Sequence, residues 1–164
     1  MAWVTPPVFV AGAILTAAQM NVIRDDFVEL APFSAAWTAF TPQLRTASTN
    51  YTSTVIYGRY LKIGKLVYVQ AAVTATASGG ANEIVRLGLP AGLSPVNNSA
   101  DSVIGGFKIK DAGTAFYVGM ASTPDPGWVS GTAQDTNDYM GGSGPRFTMA
   151  PNDTIAYNVT YEIA

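Results

Sequence analysis

Asp135 and Asp138, with Asn137 between them and Asp125 nearby, form the loop cluster in this sequence whose residue types could do acid–base work. Two carboxylates held about 5 Å or ~6.5–9.5 Å apart can hydrolyse a glycosidic bond, and the same hard oxygens can ligate calcium. The run lacks the Gly and the terminal Glu of a helix-loop-helix calcium loop, so solvated loop carboxylates are the simplest reading. Trp128, on a Pro-Gly-rich loop, is a second candidate: an aromatic ring there could stack on a sugar. Tyr57, Tyr157 and Tyr161 fall on strand faces, where core packing explains them.

Other chemistries fail on residue type. The sequence contains no His and no Cys. That removes a disulfide framework, a thiolate zinc site, a Cys nucleophile, a His base and a His-held metal. A hydroxyl nucleophile would need Lys as its base, and no Ser-x-x-Lys spacing is present. Gly64-Lys65-Leu66 lacks the upstream glycine spacing and the following Ser or Thr of a phosphate loop. Gly105-Gly106 and the 141–144 loop open no helix that could face an anion. The residues therefore predict no catalytic group, no cofactor and no metal.

The elements that must position these loops divide at about residue 36. Residues 1–13 set Pro6, Pro7 and Gly12 among Trp3, Val4, Val8, Phe9 and Val10, which favours an extended arm over a helix. Such apolar side chains should dock, either on the chain's own body or on a neighbour. Thr16 and Gln19 match a capping box, with Leu15 and Met20 as its hydrophobic staple. The helix they open should run to about Leu30 and end at Pro32. Met20, Ile23, Phe27 and Leu30 form a short apolar seam, fitting either self-packing or association between copies. Asp25, Asp26 and Glu29 supply a solvated face. Residues 31–36 read as a hinge.

From Trp37 onward the texture is short strands cut by Gly, Pro, Asn and Ser. Ile155, Tyr157, Val159, Tyr161 and Ile163 alternate with more polar residues, and Val67–Ala75 does the same. Further strands are expected at 37–44, 52–60, 85–89, 102–109, 114–120, 128–129 and 146–149. The fold class is mainly β: an arm and short α-helix over 1–36, then an antiparallel β-sandwich of about eight strands, jelly-roll-like, over 37–164.

Composition narrows the partners. Of 164 residues, 48% are hydrophobic and only 12% charged, with net charge −2. Nine scattered Lys and Arg against eleven Asp and Glu disfavour nucleic acid, which needs clustered cations. No apolar run approaches the ~20 residues of a membrane helix, and the opening lacks the basic region of a secretory signal. A surface so poor in charge favours association.

Two stretches together resemble a known family. Trp3-Val4-Thr5-Pro6, Ala11-Gly12-Ala13-Ile14-Leu15-Thr16-Ala17-Ala18-Gln19-Met20-Asn21 and Arg24-Asp25 resemble the N-terminal signature of tail and other virion proteins of bacteriophages, especially those infecting actinobacteria. Trp37-Thr38-Ala39-Phe40-Thr41-Pro42, Gly58-Arg59-Tyr60 and Ile63-Gly64-Lys65 are similar to the start of the β-domain that often follows. Leu89-Pro90, Asn152-Asp153-Thr154-Ile155 and Tyr161-Glu162 continue the likeness, whereas residues 96–148 carry little of it. The resemblance implies a non-enzymatic virion surface protein, commonly trimeric, assembled in the bacterial cytoplasm and contacting other virion proteins of tail or capsid. It implies no catalytic residues.

Three functions follow as expectations. The first is a minor tail, tail-tip or fibre protein with adhesion to a host-surface glycan. The second is capsid decoration or a head fibre, with the arm laid on the capsid. The third is a carbohydrate-binding module using Trp128. In the first two, Trp3, Val4, Phe9, Met20, Ile23, Phe27 and Leu30 attach the chain or join its copies. Burying four seam side chains would contribute on the order of 6–10 kcal/mol per subunit before ordering costs.

Overall fold

The computed structural model describes residues 12, 14–30, 36–46, 49–79, 83–99, 102–113, 115–133, 139–141 and 148–164. The chain divides into two compact units, Met1–Ala36 and Trp37–Ala164.

In the first unit, helix α1 spans Ala17–Leu30. Its start is set by the expected capping box. The Thr16 amide donates to Gln19 Oε1 at 2.9 Å, and the Gln19 amide donates to Thr16 Oγ1 at 3.3 Å. Two amides that no helical carbonyl could reach are thereby satisfied. The first helical bond, from the Met20 amide to the Thr16 carbonyl, follows at 3.0 Å. Pro32 and the hinge lie outside the described residues.

Among its described residues the second unit holds ten strands: β1 (Thr38–Ala39), β2 (Leu44–Arg45), β3 (Asn50–Tyr51), β4 (Ser53–Ile63), β5 (Leu66–Ala75), β6 (Arg86–Gly88), β7 (Val103–Asp111), β8 (Ala115–Asp125), β9 (Trp128–Ala133) and β10 (Thr154–Glu162). All pairings between named strands are antiparallel, and all ten lie in one sheet in the order β1-β4-β5-β10-β7-β8-β9-β6-β2-β3. A mainly β chain with antiparallel strands was expected, but as two sheets; here one hydrogen-bonded sheet curls on itself.

The curl is written into residues 38–63. β1 ends the strand order on one side and β2 stands next to last on the other, yet only residues 40–43 separate them; β3 and β4 are separated by Thr52 alone. Thr38 and Ala39 pair with Tyr60 and Arg59, while Leu44 and Arg45 pair with Tyr51 and Asn50. These stretches thus form one hairpin whose partners are lost in the middle, where four residues (40–43) face seven (52–58). The three extra residues splay the hairpin, and the two margins of the sheet meet along it. Pro42, which has no amide to donate, is buried in that splayed stretch. It explains why the strand expected over 37–44 is interrupted.

Curling turns one face of β5, β7 and β10 inward. Val67, Val69, Ala71 and Val73 of β5 meet Ile155, Tyr157 and Val159 of β10, Phe107 and Ile109 of β7, Val129 of β9 and Leu87 of β6 in a single core. The Tyr157 hydroxyl crosses the interior from β10 to β6 and donates to the Gly88 carbonyl at 2.7 Å. Met140 and Met149, which no expected strand placed in the interior by pattern, fill it at 0% and 1% exposure. Of the strand expected over 146–149, residues 146 and 147 lie outside the described residues.

Tyr157 and Tyr161 give the fold an alkaline limit. Burial, and then the neighbouring Tyr161, push the Tyr157 phenol well above its usual 10.0; burial alone raises Tyr161. The folded chain therefore holds protons that the unfolded chain releases above about pH 10. Stability should be flat below that pH and fall as pH rises beyond it. Denaturant midpoints across pH 8–11 check this, and the double variant Tyr157→Phe/Tyr161→Phe should flatten the curve. Tyr157→Phe also orphans the Gly88 carbonyl and should cost about 1–2 kcal/mol. The Tyr161 hydroxyl has no hydrogen-bond partner, so Tyr161→Phe should cost close to nothing.

Candidate functional site

The attachment residues expected in the first unit are only partly within view. Trp3, Val4 and Phe9 lie outside the described residues, and Leu30 is described in backbone alone. Met20 and Phe27 are exposed, at 50% and 68%, and Ile23 is half-buried. Val28, which falls off the expected seam, is 55% exposed. The seam is thus an outward apolar face on a helix of 14 residues, too short to hold itself in water without packing. Asp26, assigned from sequence to the solvated face, is instead buried at 8%, while Asp25 pairs with Arg24 at 2.8 Å.

The loop candidates of the second unit also separate. Asp135 and Asp138 lie outside the described residues. Trp128 opens β9 after the Pro126-Gly127 turn, where Gly127 adopts φ 78°. Its ring is half-buried, and the Arg45 guanidinium of β2 sits over it at 4.7 Å from the centroid. A cation on one ring face occupies the surface that a sugar would use. Asp125 forms an ion pair with Arg86 of β6, whose side chain is only 13% exposed. The Asp125–Arg86 and Trp128–Arg45 contacts together tie the β8–β9 turn to β6 and β2.

Arg86 crosses a polar row. Ser122, Ser130 and Arg86 are register partners on β8, β9 and β6, and the two serines are buried at 2% and 0% exposure. Among the described residues, the hydroxyls of Ser122, Ser130 and Tyr139 and the Nε of Arg86 have no hydrogen-bond partner. A buried hydroxyl without a partner carries its desolvation cost with nothing returned. Ser130→Ala should therefore leave the thermal midpoint unchanged or raise it, which a melting curve would check.

A second aromatic–cation group lies on the outer face of β4 and β5. Arg59 stacks 4.7 Å over Trp37 and donates to Gln70 Oε1 at 2.8 and 3.0 Å, and Trp37 packs on Tyr68 with centroids 5.3 Å apart. Trp37 is thereby held between Arg59 and Tyr68. Tyr57, expected in the core, is on this outer face and 43% exposed, because the register shift between Val55 and Tyr57 rotates it outward.

Sequence reasoning passed over an exposed apolar group of the β unit: Phe116, Val118 and Met120 of β8, beside a shallow trough of about 240 Å3 lined by Tyr57, Gly106, Lys108, Val118, Ala156 and Asn158. A signal was present. Residues 115–120 are apolar at both alternating sets, so one set had to be left outside a one-layer sheet. Among the described residues, no group of three or more His, Cys, Asp or Glu side chains could hold a metal ion. No helix among the described residues is long and apolar enough to cross a membrane. No family model, curated protein or solved structure matches this chain.

Proposed function

We propose that the chain is a non-enzymatic structural protein of a bacteriophage virion surface, of the minor tail, tail-tip or fibre class. The observation that carries the reading is the division of labour between its units. A compact β unit, whose core is closed around Phe107 and Tyr157, follows a short helix with Met20, Phe27 and Val28 facing outward. Exposed apolar helix faces are removed from water by assembly. Three copies around one axis would bury the Met20–Ile23–Phe27 face of each, giving a homotrimer with the β units projecting. In that arrangement the facing walls of the curled sheet act as the two layers of a sandwich, and the outer surface is available for adhesion to a host glycan. The likeness of residues 3–25 and 37–65 to virion proteins supports the same reading.

Attachment to the capsid is the alternative, with the arm laid across capsid subunits. Electron microscopy of particles labelled with antibody to the β unit distinguishes the two. Label at the tail end supports the leading reading, and label on the head replaces it with capsid decoration. Particles that carry no label at all would overturn both.

A further inference from the structure

The polar row that crosses β9 carries more hydrogen-bonding groups than the chain itself uses. Ser122 of β8, Ser130 of β9, Arg86 of β6 and Arg45 of β2 follow one another as register partners across four strands. Each has a chain neighbour in the core: Ala121, Val129, Leu87 and Leu44. A strand's period of two therefore sets all four on the side away from the core. Tyr139 joins them, since it bridges to Thr132, two residues beyond Ser130, and Met140 after it lies in the core. The hydroxyl oxygens of Ser122, Ser130 and Tyr139 and the Arg86 Nε are all closed off from solvent, and among the described residues none has a partner. One such atom is a local packing cost. Four together, three of them register neighbours, make the lining of a site.

We infer that this row binds a small monovalent anion, with chloride as the representative ion. The Arg86 Nε fixes the polarity, because a guanidinium nitrogen can only donate; the hydroxyls are free to turn and donate toward the same point. Register partners on adjacent strands carry their Cβ atoms about 5 Å apart, so one acceptor between Ser122 and Ser130 is within reach of both, with Arg86 one strand further on. Charge separates an anion from a water molecule. Arg45 and Arg86 stand directly opposite each other, an arrangement that like charges disfavour. Asp125 pairs with Arg86, whereas Glu83, three residues before Arg86, accepts from Thr46 instead. Among the described residues the row thus holds two guanidiniums against one carboxylate, and an anion balances the surplus where water cannot.

Size limits the occupant. Lining groups one strand spacing apart, with no accessible surface of their own, admit an ion of one or a few atoms and turn away a sugar or a phosphate ester. The approach is past the ion pair, where the Asp125 side chain is 43% exposed and that of Arg86 13%. The site rests on neither the virion reading nor the helix seam.

Melting curves of the full chain in sodium chloride and in sodium gluconate, matched in ionic strength, test it. Gluconate is too large to enter. The midpoint should climb by about 3–5 °C for each ten-fold rise in chloride above the dissociation constant and should stay level in gluconate. Ser122→Ala/Ser130→Ala removes no bond within the chain, so in gluconate its midpoint should equal or exceed that of wild type. The same variant should lose the chloride response, and Tyr139→Phe should weaken it. Crystals of the wild type grown in sodium bromide should show an anomalous peak between Ser122 and Ser130. Equal midpoints in the two salts overturn the proposal. A chloride response that survives whole in the double variant overturns it too, by placing the ion elsewhere. Should the double variant fail to fold, the bromide crystals decide: a peak in the row supports the site, and water in its place overturns it.

Discussion

Gly105→Ala should cost about 3 kcal/mol or more, whereas Gly106→Ala beside it should be neutral or slightly stabilising. A Cβ at Gly105 would stand 2.1 Å from the Asn158 carbonyl oxygen and 2.8 Å from the Val159 Cα. Both atoms are backbone of β10, held on its far side by β5 across nine register pairs. No rotamer change can relieve the clash, so β7 and β10 must separate and their ladder with them. Gly106 points the other way, into open space over the trough, and alanine there only narrows the unfolded ensemble. Urea midpoints of the two variants check the pair. Similar losses in both would mean that the approach of β7 to β10 is not as tight as the structure has it.

Asp153→Ala is expected to cost about 3 kcal/mol, lowering the thermal midpoint by roughly 10 °C. Asp153 is fully buried and accepts two backbone bonds, from Ala112 at 2.8 Å and from Ala150 at 2.7 Å. Its carboxylate joins the turn after β7 to the turn that opens β10, two segments far apart in sequence. Alanine leaves both half-buried amides without an acceptor, and the cost is largely their desolvation. The main chain adds to the knot: the Asp153 carbonyl accepts from the Ala75 amide at 2.8 Å, and the Asn152 amide donates to the Ala75 carbonyl at 2.9 Å. Asn152 itself adopts φ 78°, a conformation that asparagine tolerates better than most side chains. Asp153→Asn should fall between wild type and alanine, because one amide keeps its acceptor while the other faces an NH2 group. Calorimetry on the three proteins reads the order directly.

Much of the local structure was legible. Thr16 and Gln19 announced the helix start because a capping box is a contact between residues three apart. The alternation of Ile155, Tyr157, Val159, Tyr161 and Ile163 announced β10, and all five are buried at 7% exposure or less. A strand's period of two is a property of its own backbone, so it survives whatever the strand later packs against. The candidate site was less legible for the same reason in reverse. Trp128 looked like a free aromatic in a turn, yet Arg45, more than eighty residues earlier in the chain, lies over its ring. Asp125 looked like a solvated carboxylate, yet Arg86 reaches it from another strand.

The sequence alone therefore determined the helix and its cap, the antiparallel strands with their buried sides, and the lack of any group able to act as a thiolate or imidazole. Tertiary structure alone decided that the strands make one curled sheet, that Tyr57 turns outward, and that Phe116, Val118 and Met120 are left in water while Ala121 and Val129 are not. Periodicity says which side chains share a face. Which face goes inward depends on pairings between segments distant in sequence, such as Gly105 against Val159 and Leu44 against Leu87, and their closeness is a product of the whole chain's burial rather than of any local pattern.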